Sequence, residues 1–286
     1  MKVYSIDLYD YFKIEKPQGA EGVLFCYLHD PKAFAGEVRT RPAMIAIPGG
    51  GYSARSPREG EIVALQFFSE DYQAFTLAYS IAPCRFPTAL REACMAVMYI
   101  RENAEVLGVN ADQIAAVGFS AGGHLCASLG TMFDEAEADI FKDRGVSPRP
   151  DAVLLGYPVI SYVNHPHKGS FVNLCGEDEA LRCRLSLEEH VKGSSAPAFI
   201  FHTATDAAVP VQNSIFMAAA YAEKGIPFAL HIFERGNHGL ALGTSATTAL
   251  SNDFGDYSKD FAQWVPLSLH WLAERGFGVK LEKNEG

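Results

Sequence analysis

The feature that most constrains this chain is an alternation of two apolar rhythms that begins near residue 40 and continues towards the end. Short, largely apolar runs occupy residues 43–47, 74–78, 114–119, 152–155, 198–201 and 228–233, with Thr76 and His231 inside two of them. Runs of this length with no polar alternation read as strands buried on both faces, the environment of a parallel sheet. Between them the period changes. Leu90, Ala93, Cys94, Val97 and Met98 follow helical spacing, as do Ile215, Ala218, Ala219 and Ala222. Alternating strands and helices imply right-handed crossovers and helices on both sides of the sheet, so the expected class is α/β with a mostly parallel central sheet. Residues 3–8 and 22–28 read as two earlier strands, with a turn expected after them at Pro31 and Gly36.

No repeat, low-complexity tract or Ser/Gly linker interrupts the pattern, so residues 1–286 are expected to form one domain. Hydrophobic residues make up 48% and charged residues 20%, enough apolar surface to close a large core. The least regular stretch, residues 161–195, contains Pro166, Gly169, Gly176 and Gly193 and reads as an insertion at one end of the sheet. In sheets of this type ligands bind outside the carboxyl ends of the strands, so an insertion there could cover a site.

Charge and targeting narrow the functional classes. Lys and Arg number 24 against 34 Asp and Glu, a net charge of −10, and such a field repels phosphates and anionic lipid. Nucleic acid and membrane surfaces are therefore not expected partners. The first twenty residues carry Asp7, Asp10 and Glu15 and no signal-like apolar run, so a cytoplasmic, soluble protein is expected. Cys26, Cys84, Cys94, Cys126, Cys175 and Cys183 are sparse, form no C-x-x-C pair and read as reduced thiols.

Chemistry is sought just after each apolar run. The run ending at Phe119 leads into Gly118-Phe119-Ser120-Ala121-Gly122 and then a helical segment. Glycines around a serine at a strand-to-helix turn let the backbone bend sharply and push Oγ outwards. A serine hydroxyl needs a base, and the base needs an orienting carboxylate. His238, in Gly236-Asn237-His238-Gly239 after the last run, is the best-placed base. His202 and His231 fall inside predicted strands and read as core residues, His124 as a packing or supporting residue, and His165 and His167 as a solvated loop without a metal partner. Asp206 follows the 198–201 run. Taken alone it reads as a helix cap, but the chain order Ser120, Asp206, His238 favours the orienting acid. Pro48-Gly49-Gly50-Gly51-Tyr52 follows the 43–47 run, and its side-chain-free residues let backbone N–H groups approach a substrate oxygen. Gly50, Gly51 and Ala121 are the candidate oxyanion hole.

With these motifs assembled, the sequence resembles the α/β-hydrolase superfamily, and within it the small bacterial acetyl esterases and acetylxylan-esterase-like enzymes related to hormone-sensitive lipase. The resemblance rests on Ile47-Pro48-Gly49-Gly50-Gly51-Tyr52, Tyr79-Ser80-Ile81-Ala82-Pro83 with Phe86-Pro87, the segment 118–123, His202-Thr203-Ala204-Thr205-Asp206 with Val209-Pro210, and Gly236-Asn237-His238-Gly239. It implies Ser120 as nucleophile, His238 as base, Asp206 as orienting acid, and short acyl esters, chiefly sugar acetates, as substrates, with no cofactor or metal. Pro48 stands where relatives often carry His, and Thr205 where many carry a second acid. The stretch before residue 43 is too short for the helical cap of larger relatives, so an open cleft shaped by the insertion is expected. Tyr52, Tyr157 and Pro158 are candidate substrate contacts near strand ends. Two alternatives stay open: an amide-cleaving hydrolase such as a peptidase or arylformamidase, and a non-catalytic binding module on the same scaffold. A homo-oligomer also stays open.

Overall fold

The apolar runs become the strands of a nine-stranded sheet. The structure, a computed structural model, describes residues 1–30, 37–135, 144–247 and 256–283. The turn expected at Pro31 and Gly36 lies outside the described residues. In chain order the elements are β1 (Lys2–Asp7), α1 (Leu8–Phe12), β2 (Val23–Leu28), β3 (Glu37–Ile47), α2 (Glu61–Ser69), β4 (Gln73–Ala78), α3 (Thr88–Glu102), α4 (Ala104–Leu107), β5 (Val109–Phe119) and α5 (Ser120–Thr131). They continue with β6 (Ala152–Gly156), α6 (Lys168–Cys175), α7 (Glu179–Arg184), β7 (Ala198–Thr203), α8 (Gln212–Lys224), β8 (Phe228–Phe233), α9 (Asp256–Ala262), α10 (Trp264–Glu274) and β9 (Lys280–Lys283).

The strands lie in the order β1-β2-β4-β3-β5-β6-β7-β8, with β9 attached to the start of β3. Pairing is parallel from β4 through β3 to β8 and antiparallel at β1–β2, β2–β4 and β3–β9. The fold is that of an α/β hydrolase, a mostly parallel sheet with helices on both faces. Alternate residues of each central strand feed two cores. Ala43, Ile45 and Ile47 join Leu90, Val97 and Leu125 on one face. Met44 and Ala46 join Val63, Phe67 and Trp264 on the other. Every residue of β4 and β7 is buried, which is why their sequences show no polar alternation.

Several expected boundaries move, each for a local reason. The first strand stops at Asp7 because its carboxylate accepts the Tyr9 and Asp10 N–H groups and starts α1. β3 and β5 begin earlier than their apolar runs. The polar segment 37–40 pairs with β9 instead of entering the core, and a register shift between Arg41 and Ala43 accommodates Pro42. Helix α8 buries Asn213, Ser214, Met217, Ala218 and Tyr221, whereas Ile215, Ala219 and Ala222 face outwards, so only Ala218 of the expected face is correct. The buried polar groups decide this rotation, as the Asn213 amide receives the N–H groups of Ile160 and Ser161. β8 is an edge strand, and His231 is half-exposed against Phe199 rather than a core residue. The segment 161–195 contains α6, α7 and a 3-10 turn at Leu187–His190. It leaves the carboxyl end of β6 and returns at β7. The carboxyl ends of β3, β5, β7 and β8 share one rim of the sheet.

Candidate active site

Ser120 begins α5 directly after β5, with φ of 54°, a left-handed backbone that a non-glycine residue adopts only under constraint. The constraint is close packing. A Cβ on Gly118 would meet the Gly122 carbonyl oxygen at 2.2 Å, and one on Gly122 would meet the Ile47 carbonyl oxygen at 2.3 Å. Strand and helix therefore cross nearer than any side chain permits, and the serine turns out towards the rim.

The other loops meet it there. His238 Nε2 lies 2.8 Å from Ser120 Oγ, and His238 Nδ1 lies 2.7 Å from Asp206 Oδ2. Because an ionised carboxylate only accepts, Nδ1–H donates to Asp206 and leaves Nε2 to accept the serine proton. Asp206 divides its oxygens. Oδ1 accepts the N–H groups of Ala208 and Val209, both at 2.9 Å, so the residue shapes its own turn while Oδ2 serves the imidazole. Its side chain is fully buried. Burial by itself raises the carboxyl pKa, but hydrogen bonds from His202 and His238, the charge of His238 and the Val209 N–H outweigh it and hold Asp206 well below the usual carboxylate range.

His202 is fully buried, as read from the sequence, and it is more than packing. Its Nε2 faces the Val209 carbonyl at 3.0 Å and Asp206 Oδ2 at 3.3 Å, both acceptors, so Nε2 carries the hydrogen. Ser214 Oγ, 2.8 Å from Nδ1, then donates to the ring. The acid is thereby flanked by two imidazoles. Thr205 receives the Gly236 N–H at 3.0 Å and donates to the Gly236 carbonyl at 3.2 Å, tying the loop that carries His238 to the loop that carries Asp206.

Opposite the imidazole, the glycine loop is pinned by its neighbours. Tyr79 Oη donates to the Pro48 carbonyl, the Gly49 N–H donates to Glu59, and the Gly50 carbonyl accepts from Ser53 and Ala54. Gly50 has φ of 129°, and a Cβ there would meet the Ala54 carbonyl oxygen at 2.2 Å. The N–H groups of Gly50, Gly51 and Ala121 have no acceptor among the described residues. Gly50 and Gly51 line the same cleft of about 480 Å³ as Ser120 and His238.

The remaining candidates fall differently. Tyr52 is buried and donates to His124 Nδ1 at 2.9 Å, since His124 Nε2–H is committed to the Leu185 carbonyl at 3.0 Å. Burial pushes the His124 pKa down to about 4, so the ring is neutral and joins the glycine loop to the insertion. Tyr157 is buried with its ring 4.9 Å from that of His238, and Pro158 is buried against Gly123. All three, expected as substrate contacts, are buried and none is among the residues that line this cleft. His167 is corrected in the opposite sense. It is half-buried in the cleft wall, bonded through Nδ1 to Ser170 Oγ at 2.8 Å, rather than a solvated loop residue. Burial, then the charge of His238, lowers its pKa. Asn173, also in the wall, donates to the Gly51 carbonyl at 2.8 Å. The sequence reading missed Glu59, His167 and Asn173 as site residues; their only signal was membership of an insertion or turn beside the glycine motif.

Among the described residues, no group of three or more His, Cys, Asp or Glu side chains could hold a metal ion, and no helix is long and apolar enough to cross a membrane.

Comparison with known proteins identifies the relatives of this chain. A family model described as BD-FAE matches residues 31–221. The endo-1,4-beta-xylanase B of Butyrivibrio fibrisolvens is 38% identical over 226 residues, covering 77% of this chain and 34% of its own length. The acetylxylan esterase of Xylanibacter ruminicola is 30% identical over 234 residues, covering 76% of this chain and 45% of its own length. The chain thus spans between a third and a half of these curated relatives. A solved acetyl ester-xyloside bifunctional hydrolase from Caldicellulosiruptor lactoaceticus superposes with a TM-score of 0.79 at 33% identity, covering 96% of this chain and 97% of that one.

Proposed function

The chain belongs to the BD-FAE family within the α/β-hydrolase superfamily, and from that membership we propose that it is a serine carboxylesterase acting on short-chain, chiefly acetyl, esters of sugars or xylo-oligosaccharides. One observation carries the mechanism: the continuous hydrogen-bond chain from Ser120 through His238 to Asp206, at 2.8 and 2.7 Å. Ser120 Oγ forms a bond to the ester carbonyl carbon as its proton passes to His238 Nε2. The carbonyl oxygen becomes an alkoxide facing the N–H groups of Gly50, Gly51 and Ala121, where fixed donors stabilise the developing charge more than they stabilise the ground state. Collapse breaks the bond to the alcohol oxygen, and His238 returns its proton to that oxygen. Water then attacks the acyl-enzyme by the same route, releasing acetate and restoring Ser120. Asp206, kept anionic, orients the ring and offsets the imidazolium charge.

The substrate class draws support from the relatives' names and from the cleft wall. Ser53, Ser56, Arg58, His167 and Asn173 surround the mouth with hydrogen-bonding groups, which suit a hydroxyl-rich alcohol better than an apolar one. The test is turnover of nitrophenyl esters of increasing acyl length and of acetylated xylo-oligosaccharides. Acetate release from the oligosaccharides that disappears in Ser120→Ala is expected. Undiminished turnover in that variant excludes the mechanism, and a preference for long acyl chains excludes the substrate class.

A further inference from the structure

Beneath the cleft floor lies a polar connection that the triad does not use. Glu59 ends the short 3-10 turn Pro57–Glu59, and it is buried at 3% exposure. Its Oε2 accepts the Gly49 N–H at 2.9 Å, and its Oε1 accepts Tyr157 Oη–H at 2.6 Å. The Tyr157 oxygen in turn accepts the Ala241 N–H at 3.0 Å. Burial, then the neighbouring Glu59 charge, keeps the phenol protonated and therefore a donor.

We propose that Glu59 and Tyr157 are positioning residues, a buried clamp that sets the distance between the glycine loop and the histidine loop. The inference rests on the esterase reading for its kinetic consequence. Both ends of the clamp touch reacting parts. A Cβ on Gly49 would sit 2.8 Å from Glu59 Oε2 and 3.0 Å from Ser120 Cβ, so the carboxylate holds the loop at the point where it abuts the nucleophile. At the other end the Tyr157 ring packs edge-on to His238, with centroids 4.9 Å apart at 67°. Its hydroxyl fixes Ala241, whose carbonyl is held from the opposite side by Trp264 Nε1–H at 2.9 Å.

Backbone geometry points the same way. Ser120, Tyr157 and Ala241 all have positive φ, at 54°, 34° and 52°, and none is glycine. Such conformations persist only where surrounding contacts over-determine them, and here Tyr157 bonds Glu59 directly while Ala241 bonds Tyr157. A buried carboxylate beside an oxyanion site is electrostatically unhelpful to the developing alkoxide. Its presence is explained if the gain is geometric, because errors of about 1 Å in a reacting constellation cost on the order of 100-fold in rate.

The experiment compares wild type, Glu59→Gln, Tyr157→Phe and the double variant. Glutamine keeps an acceptor for Gly49 but gives Tyr157 Oη–H no anion to bond, and phenylalanine removes the hydroxyl alone. Each single variant is expected to lose about 10- to 100-fold in kcat on nitrophenyl acetate. KM should stay within about twofold, and the double variant should be no worse than the poorer single, as members of one unit are not additive. The low-field His238 Nδ1 proton resonance should broaden or shift in both. Circular dichroism identifies folded variants, and Tyr157→Phe carries the test if Glu59→Gln does not fold. Unchanged kcat and an unchanged His238 resonance in a folded variant, or multiplicative losses in the double variant, overturn the clamp. If wild-type turnover proves independent of Ser120 the esterase reading fails separately, and the His238 resonance still decides whether the clamp holds the ring.

Discussion

The rim formed by the ends of β3, β5, β7 and β8 and the insertion of residues 161–195 build the same cleft by different means. At the rim each functional group follows its strand within a few residues, and backbone constraints fix it: the Gly118–Gly122 approach, the Asp206 turn, the Gly50 dihedral. The insertion contributes by reaching across. Asn173 bonds the Gly51 carbonyl, and the Leu185 carbonyl takes the hydrogen of His124, with partners 122 and 61 positions away in the chain. The geometry of the proposed triad and oxyanion site is thus locally written, while the shape of the mouth depends on distant side-chain contacts.

That contrast can be broken by substitutions whose effects should fall in a definite order. The largest loss is expected at the rim, where Ser120→Ala or Asp206→Asn should lower kcat on nitrophenyl acetate by about 10⁴-fold or more with little change in KM. Gly50→Ala comes next. The new Cβ meets the Ala54 carbonyl at 2.2 Å, so the loop must move, and a loss of about 10²- to 10³-fold is expected, the scale of one missing oxyanion donor. A Gly50→Ala enzyme with wild-type turnover would remove that loop from the mechanism.

His124 joins the two regions and should reveal itself in stability rather than rate. Folded His124 stays neutral down to about 4, against 6.5 for the free side chain, so between those values the unfolded chain binds more protons. Stability present above pH 6.5 should therefore decline as pH falls towards 4, by about 3 kcal/mol in all from this residue. Urea unfolding of wild type and His124→Gln at pH 7 and 4.5 checks it, with the acid sensitivity reduced in the variant. The smallest effect is expected in the insertion. Asn173→Ala and His167→Ala should raise KM for acetylated xylo-oligosaccharides about 2- to 10-fold, with less effect on nitrophenyl acetate. Equal effects on both substrates would assign these residues to loop support rather than to the alcohol side of the cleft.

The same division explains what could be read in advance. Buried strands give continuous apolar runs, and the glycines flanking Ser120 exist because no side chain fits there, so both leave marks in a single sequence. Strand segment 37–40 left none, since it pairs with β9 at the sheet margin through backbone groups, and the polar stretch 110–113 breaks the apolar run at the start of β5. The α8 face was misread because Asn213 and Ser214 are buried through hydrogen bonds, which a periodicity of apolar residues does not register. Tyr52 and Tyr157 lay near the right strand ends, but whether a tyrosine turns towards a cleft or beneath it depends on partners such as His124 and Glu59, which only the folded arrangement brings near.

Trp264, at the start of α10, stacks on Phe201 at 4.4 Å, lies edge-on to Phe119 beside the nucleophile, and holds the carbonyl of Ala241. Ser120, Asp206 and His238, the proposed triad, all precede it in the chain. During synthesis a nascent polypeptide therefore carries the three proposed groups before it possesses the indole that steadies them, and on that proposal hydrolytic competence should arrive late, when the helix beginning at Trp264 has left the ribosome and docked.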